Sequence, residues 1–196
     1  MAIYVKITLT VARAEYGFGI EELDQEGRQI SLFFNDKKGK PSFCFINTYF
    51  PNGGGGPERL AYKLKYYDAF LAYIEKVRKE GYEVIFTGDV NTAHTEIDLA
   101  RPKENMENTG FLPIERAWID KVIAAGYVDT YRNLHPGKVG GYTYWDMKTF
   151  ARERNVGWRI DYFFVSEKLL KDVKKSEIFS DVLGSDHCPI VLDIAL

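Results

Sequence analysis

The sequence predicts a mixed α/β or α+β domain in which β-sheets are covered by helices. Three observations carry that prediction. Apolar runs of strand length outnumber helical ones. Two longer segments place apolar residues at helical spacing, each opened by a proline and stopped by a glycine. The chain has 196 residues, 45% of them hydrophobic and 15% aromatic, which is enough for one substantial core. No internal repeat or shift in composition marks a boundary, so residues 1–196 read as one domain.

The elements follow in order. Residues 2–7 read as an opening strand and residues 30–34 as a second. Residues 36–40 form a polar hairpin turn. Residues 43–49 read as a strand buried on both faces, ending at Pro51-Asn52 before the four glycines 53–56. Pro57 opens a helix with Leu60, Leu64, Tyr67, Leu71, Ile74 and Val77 as its inner stripe, and Gly81 stops it. Residues 84–86 are a buried strand, followed by a long polar loop to about Leu112. Pro113 opens a second helix, with Trp118, Ile119, Val122 and Ile123 inward and Gly126 as its stop. Residues 142–145 form a short aromatic strand or loop, and residues 159–165 a strand. A helical turn at 168–170 precedes a final strand at 189–194. With more strands than helices, and two helical stripes to bury, helices must pack on sheets.

Bulk properties narrow the function classes. The net charge of −2 rules out a generic basic coat, so any contact with DNA uses a local patch. No apolar stretch is long enough to cross a membrane, and no signal-peptide pattern opens the chain. Cys44 and Cys188 both lie in apolar runs and read as buried thiols in a reducing, cytoplasmic setting. No Cys/His spacing suggests a zinc site.

Chemistry concentrates at strand ends. Gly88-Asp89-Val90-Asn91 follows a buried strand. Asp89 and Asn91, two apart in an extended segment, point the same way. Asp89 can orient or deprotonate a water, and Asn91 can donate to a phosphate oxygen; an Asx turn closing the strand is the alternative. Asp161 interrupts an apolar strand and needs a donor. His187, in Gly184-Ser185-Asp186-His187-Cys188-Pro189, is the natural one. A carboxylate would fix its tautomer and hold it protonated near neutral pH; a satisfied core pair is the alternative. Asp186 is the candidate ligand for Mg²⁺, which often uses one or two carboxylates with waters and substrate phosphate. Tyr49, at a strand end, can present its phenol to the same phosphate. The stretch from Arg152 to Arg159 sets basic residues around Trp158, with Tyr144 and Trp145 shortly before, which suits a DNA backbone and a splayed-out sugar.

Taken in order, these strings resemble the exonuclease III family of apurinic/apyrimidinic (AP) endonucleases, over essentially the whole chain. The strings are Asn47-Thr48-Tyr49-Phe50-Pro51-Asn52, Gly88-Asp89-Val90-Asn91-Thr92-Ala93-His94, Glu96-Ile97-Asp98-Leu99, Asn155-Val156-Gly157-Trp158-Arg159-Ile160-Asp161-Tyr162 and the Gly184 to Pro189 motif. That last motif is shared with inositol-phosphate phosphatases and sphingomyelinases, whereas the Trp158 string is specific to the DNA-repair branch. The resemblance implies a sandwich of two β-sheets flanked by helices. It implies Mg- or Mn-dependent cleavage on the 5′ side of abasic sites, with 3′-phosphodiesterase or 3′→5′ exonuclease activity, on double-stranded DNA. By motif, Asp89 activates or positions water, and Asn91 and His187 bind phosphate. Asp161 orients His187, and Asp186 belongs to the metal site. Tyr49 and Asn52 contact phosphate, and Asn105 and Asn108 contact DNA. Tyr144, Trp158 and Ile160 form the pocket for a flipped abasic sugar, which excludes an intact base by size.

The resemblance also defines a departure. The family opens with strands absent here, one of which ends Leu-Gln-Glu and supplies a principal metal ligand. Gln25-Glu26 has the dipeptide but sits in a polar turn before Gly27, so it is not that ligand. The expectation is an incomplete N-terminal sheet and a weakly held metal. The chain would then self-associate or pair with a separate N-terminal segment through its exposed sheet edge. A non-catalytic DNA-binding fragment, or one half of a split nuclease, is the competing reading.

Overall fold

A computed structural model describes residues 1–196. Its strands and helices are β1 (Arg13–Tyr16), α1 (Glu21–Asp24), β2 (Gln29–Asn35), β3 (Pro41–Thr48), α2 (Pro57–Lys79), β4 (Glu83–Asp89), α3 (Pro102–Asn105), α4 (Pro113–Ala124), β5 (Tyr127–Asp129), α5 (Thr130–Leu134), β6 (Asp161–Ser166), β7 (Val173–Ile178) and β8 (Ile190–Ile194). A six-stranded sheet runs β1-β2-β3-β4-β6-β5, and β7-β8 form a second, two-stranded sheet. Within the large sheet β3 and β4 are parallel and the other neighbours antiparallel. The parallel pair needs a crossover, which α2 supplies. This is the mixed two-sheet architecture expected, but the N-terminal strands β1, β2 and β3 belong to the six-stranded sheet, and the small sheet is built from the C-terminal strands β7 and β8.

Strand periodicity sends alternate side chains to opposite faces. One face presents Phe33, Cys44, Ile46, Val84, Phe86, Tyr162 and Phe164 to the helices. The helices answer with an aromatic stripe from α2 and with Trp118, Ile119 and Val122 of α4. Trp118 stacks on Tyr67 at 4.1 Å between ring centres. The other face meets the small sheet through Ile85, Val165, Leu169 and Val173.

Several expectations are corrected. Residues 2–7 form no strand, because no neighbouring strand pairs with them. Tyr4 and Ile7 are fully exposed, while Ile3 and Val5 rest against the large sheet in an apolar groove of about 370 Å³. One edge strand of the large sheet is β1, which the sequence pattern did not signal. β5 and β7 were also unforeseen. The inner stripe of α2 is Lys63, Tyr66, Tyr67, Phe70, Tyr73, Ile74 and Val77; Leu60, Leu64 and Leu71 are only half-buried. Ile123 faces solvent. Residues 43–49 are not buried on both faces throughout: Phe43, Phe45 and Asn47 are half-buried and Tyr49 is exposed.

The sheet register sets up the site. Asp89 ends β4 and Asp161 begins β6, and the two are cross-strand partners. Gly88 makes their approach to β3 possible. Its φ is +136°, and a Cβ there would lie 1.8 Å from the Thr48 carbonyl oxygen. No side chain fits that position.

Candidate active site

The cleft opens where β3, β4 and β6 meet. Its volume is about 410 Å³, and its lining includes Tyr49, Asn52, Asp89, Asn91, Asp186 and His187. Tyr144, Trp158 and Ile160 form its aromatic and aliphatic wall. These come from five separate stretches of chain, which the fold gathers.

Asp89 and Asn91 form a closed unit. The carboxylate accepts from the Asn91 backbone N–H at 2.7 Å and from Asn91 Nδ2 at 3.0 Å. Asn91 Nδ2 also donates to the Phe50 carbonyl at 2.9 Å, and Asn91 Oδ1 accepts from Asn52 Nδ2 at 3.0 Å. Both amide protons of Asn91 are thereby used. In this arrangement Asn91 orients Asp89, and Asn52 keeps a free donor proton. The Asx-turn reading and the functional reading of the motif therefore coexist: Asn91 sits at φ +55°, with its own N–H turned onto Asp89. Burial and the nearby Asp161 charge push the Asp89 carboxyl up to about 7, against the opposing pull of His187 and the Asn91 N–H.

Asp161 and His187 meet as expected, Oδ2 to Nδ1 at 2.8 Å. That bond directs Nε2 as the remaining ring nitrogen. Burial lowers the affinity of His187 for its proton, but the Asp161 hydrogen bond and the surrounding carboxylates outweigh it, and the net direction is upward. The ring lies 5.0 Å from Tyr144, centre to centre. Backbone bridges join Tyr144 to both Trp158 and His187, so the pocket wall and the histidine share one frame.

Asp186 is half-buried in the cleft and accepts from Ser185 Oγ at 3.1 Å. No group of three His, Cys, Asp or Glu side chains converges anywhere to form a ready-made cation site. The donor set therefore meets only the minimum for Mg²⁺, which is satisfied by one carboxylate, waters and a substrate phosphate. Glu26 is not part of it. It pairs with Arg59 and Arg28 beside a separate surface depression, and its carboxyl is held down at about 2 by the Arg59 hydrogen bond.

Tyr49 is exposed at the cleft mouth, with Arg28 stacked 4.7 Å from its ring centre. Asn105 and Asn108 do not line the cleft. Asn108 Nδ2 donates to Asn105 Oδ1 at 3.0 Å, at the end of α3 and in the turn that follows it. The predicted basic patch is corrected in part. Arg159 is buried, paired with Asp98 at 2.7 Å and Asp129 at 2.7 Å, so it cannot reach a DNA backbone. Arg152 is spent on the carbonyls of Ser180, Val182 and Ser185. Asp146, Thr109 and Gly110 also line the cleft and were not foreseen. The acid that follows Tyr144-Trp145 was the available signal for Asp146.

Comparison with known proteins fixes the lineage. Residues 1–187 match the Endonuclease/Exonuclease/phosphatase family. The chain belongs to that family. Among its relatives is an exodeoxyribonuclease of Bacillus subtilis, 44% identical over 180 residues, covering 91% of this chain and 68% of that protein. A DNA-(apurinic or apyrimidinic site) endonuclease of Dictyostelium discoideum is 45% identical, covering 89% of this chain and 47% of that one. The crystal structure of the Leishmania major AP endonuclease superposes with a TM-score of 0.83 at 30% identity, over 92% of this chain and 60% of the other. The chain thus spans between about half and two thirds of the length of these Endonuclease/Exonuclease/phosphatase proteins. No helix in it is long and apolar enough to cross a membrane.

Proposed function

We propose that this chain is the catalytic portion of a DNA-repair phosphodiesterase that cleaves DNA on the 5′ side of abasic sites and trims 3′ ends. The observation that carries the reading is the joining of Asp89-Asn91 and Asp161-His187 in one cleft whose wall is Tyr144, Trp158 and Ile160.

The chemistry assigned to each residue follows from its geometry. Asp89, with its affinity for a proton near neutral, takes the proton from the attacking water. Asn91 fixes the direction of that carboxylate. His187, held protonated by Asp161, donates from Nε2 to a non-bridging phosphate oxygen and stabilises the charge that grows there. Asn52 and Tyr49 add donors at the mouth. The wall of Tyr144, Trp158 and Ile160 suits a sugar stripped of its base and turned out of the helix. Asp186 would hold a divalent ion, Mg²⁺ or Mn²⁺, together with waters and the phosphate. When bound, that ion supplies positive charge to the reacting group, and the lack of a converging cluster of three ligands makes the binding weak.

Completion of the small sheet is part of the proposal. The outer edge of β8 pairs with no other strand, and an apolar groove lies beside it. An added strand would satisfy both, contributed by a second copy or by a separate segment.

A second reading, a DNA-binding module without catalysis, is favoured by the lack of any converging group of three or more His, Cys, Asp or Glu side chains at the cleft. A substrate panel separates the two. We expect the protein with Mg²⁺ to nick an abasic duplex, to act on recessed 3′ ends and to leave inositol phosphates untouched. Salt-sensitive binding to the abasic duplex without any cleavage would support the second reading instead.

A further inference from the structure

The turn that carries Asn91 is gripped from below by a buried ion pair. Lys63 on α2 and Glu115 on α4 meet at 2.5 Å, and neither side chain reaches solvent. Lys63 Nζ has three acceptors for its three protons: Glu115 Oε1, the Asn91 carbonyl at 2.8 Å and Thr92 Oγ1 at 3.0 Å. One helical turn on, the Tyr67 hydroxyl lies 3.2 Å from the Val90 carbonyl, and Tyr162 Oη donates to the Thr92 carbonyl at 2.7 Å. Three consecutive carbonyls of the turn therefore each meet a buried side-chain donor. Glu115 extends the network to the cleft wall. It accepts from Thr109 Oγ1 at 2.7 Å and from the N–H groups of Gly110 and Leu112 at 2.6 and 3.0 Å. Thr109 and Gly110 line the cleft.

A buried ion pair is a poor device for stability, because desolvating two charges offsets their attraction, and an apolar pair of similar size often does as well. Its value is directional. The Asn91 backbone is in the left-handed region, uncommon for a residue with a side chain, and must be held there for the amide to face Asp89.

We propose that Lys63 and Glu115 are positioning residues, which hold the Asn91 turn and the Thr109–Gly110 wall in the one arrangement that aims Asn91 at Asp89. The inference rests on the nuclease reading for its consequence in catalysis, but not for its consequence in structure. Burial lowers the proton affinity of Lys63, and the Glu115 charge and hydrogen bond oppose that only in part.

The test uses Lys63→Met/Glu115→Gln, which preserves volume and leaves no lone buried charge. With the urea midpoint near that of the parent, amide hydrogen exchange at Asn91 and Ala93 should rise at least tenfold, while the β2–β3 ladder is unchanged. Abasic-site nicking at saturating DNA should fall at least tenfold, with KM within about twofold. Unchanged exchange at Asn91 and Ala93 would overturn the inference whatever the activity. A parent protein that binds DNA but never nicks it would refute the nuclease reading while leaving the exchange result decisive here. Should the double variant not fold, Lys63→Gln/Glu115→Gln, which also leaves no lone buried charge, carries the same exchange measurement.

Discussion

Asp89→Asn should make the folded state less sensitive to alkaline pH. In the folded protein the Asp89 carboxyl titrates at about 7, raised by burial and by Asp161. In the unfolded chain it titrates near 3.9. A raised carboxylate contributes stability that is fully present below the unfolded value and is lost as pH rises through the folded one. Between pH 5 and 7 the folded state keeps the proton while the unfolded state has released it. Each unit then costs ~1.4 kcal/mol, so about two units cost roughly 2–3 kcal/mol, with little further change to pH 8. The asparagine variant has no such titration. It keeps an acceptor for the Asn91 N–H but turns an amide donor toward Asn91 Nδ2, which costs something at every pH. The informative quantity is therefore the difference between pH values, in which that constant cost cancels. Urea unfolding of both proteins at pH 5 and pH 8 measures it. His187 is present in both proteins, but the Asp89 charge helps raise its proton affinity, so its ring titration is followed by NMR in the same samples to separate it from that of Asp89. We expect the parent to lose roughly 2–3 kcal/mol more than the variant over this range. Parallel pH dependences would show that Asp89 is an ordinary carboxylate, and the general-base assignment would lose its physical basis.

Two further outcomes follow from the packing. Gly88→Ala should abolish folding or lower the urea midpoint sharply, since its Cβ would sit 1.8 Å from the Thr48 carbonyl oxygen in a strained backbone region; a variant of unchanged stability would mean that β3 and β4 do not close as described. Sedimentation velocity over a wide concentration range should show association beyond the monomer, or association upon adding a strand-bearing segment, because the outer edge of β8 pairs with no other strand; a monomer at every concentration would remove the second-copy form of that proposal.

Which parts of this fold were legible in the sequence has a physical explanation. Residues 30–34, 84–86 and 189–194 announced themselves because they are apolar at strand length, and Pro57 and Pro113 marked both long helices. The inner stripe of α2 misled because leucine looks like core. Tyr66, Phe70 and Tyr73 took the inward positions instead, and Lys63 joined them because Glu115 waits 52 residues away. No local pattern reveals a partner at that distance. Residues 2–7 have strand composition, but a strand also needs a neighbour, which local sequence does not report. β7, with Lys174 and Lys175 exposed, buries too little to signal itself. At the site, Asp161 with His187 was readable because a charge in an apolar strand demands a partner, and the structure supplies it at 2.8 Å. The orienting role of Asn91 was not readable, since it depends on the Phe50 carbonyl and Asn52 arriving from another strand end. Arg159 looked like a DNA contact for the same reason in reverse: its partners Asp98 and Asp129 are distant in sequence and enclose it.

The most direct test of the account is cleavage of a duplex carrying a single abasic site, with Mg²⁺ present, by the parent protein and by Asp89→Asn. The account predicts one nick on the 5′ side of the lesion, leaving a 3′-hydroxyl, and at least a hundredfold slower nicking by the variant. A duplex that is bound yet stays intact, or a nick that proceeds equally without the Asp89 carboxylate, would contradict it.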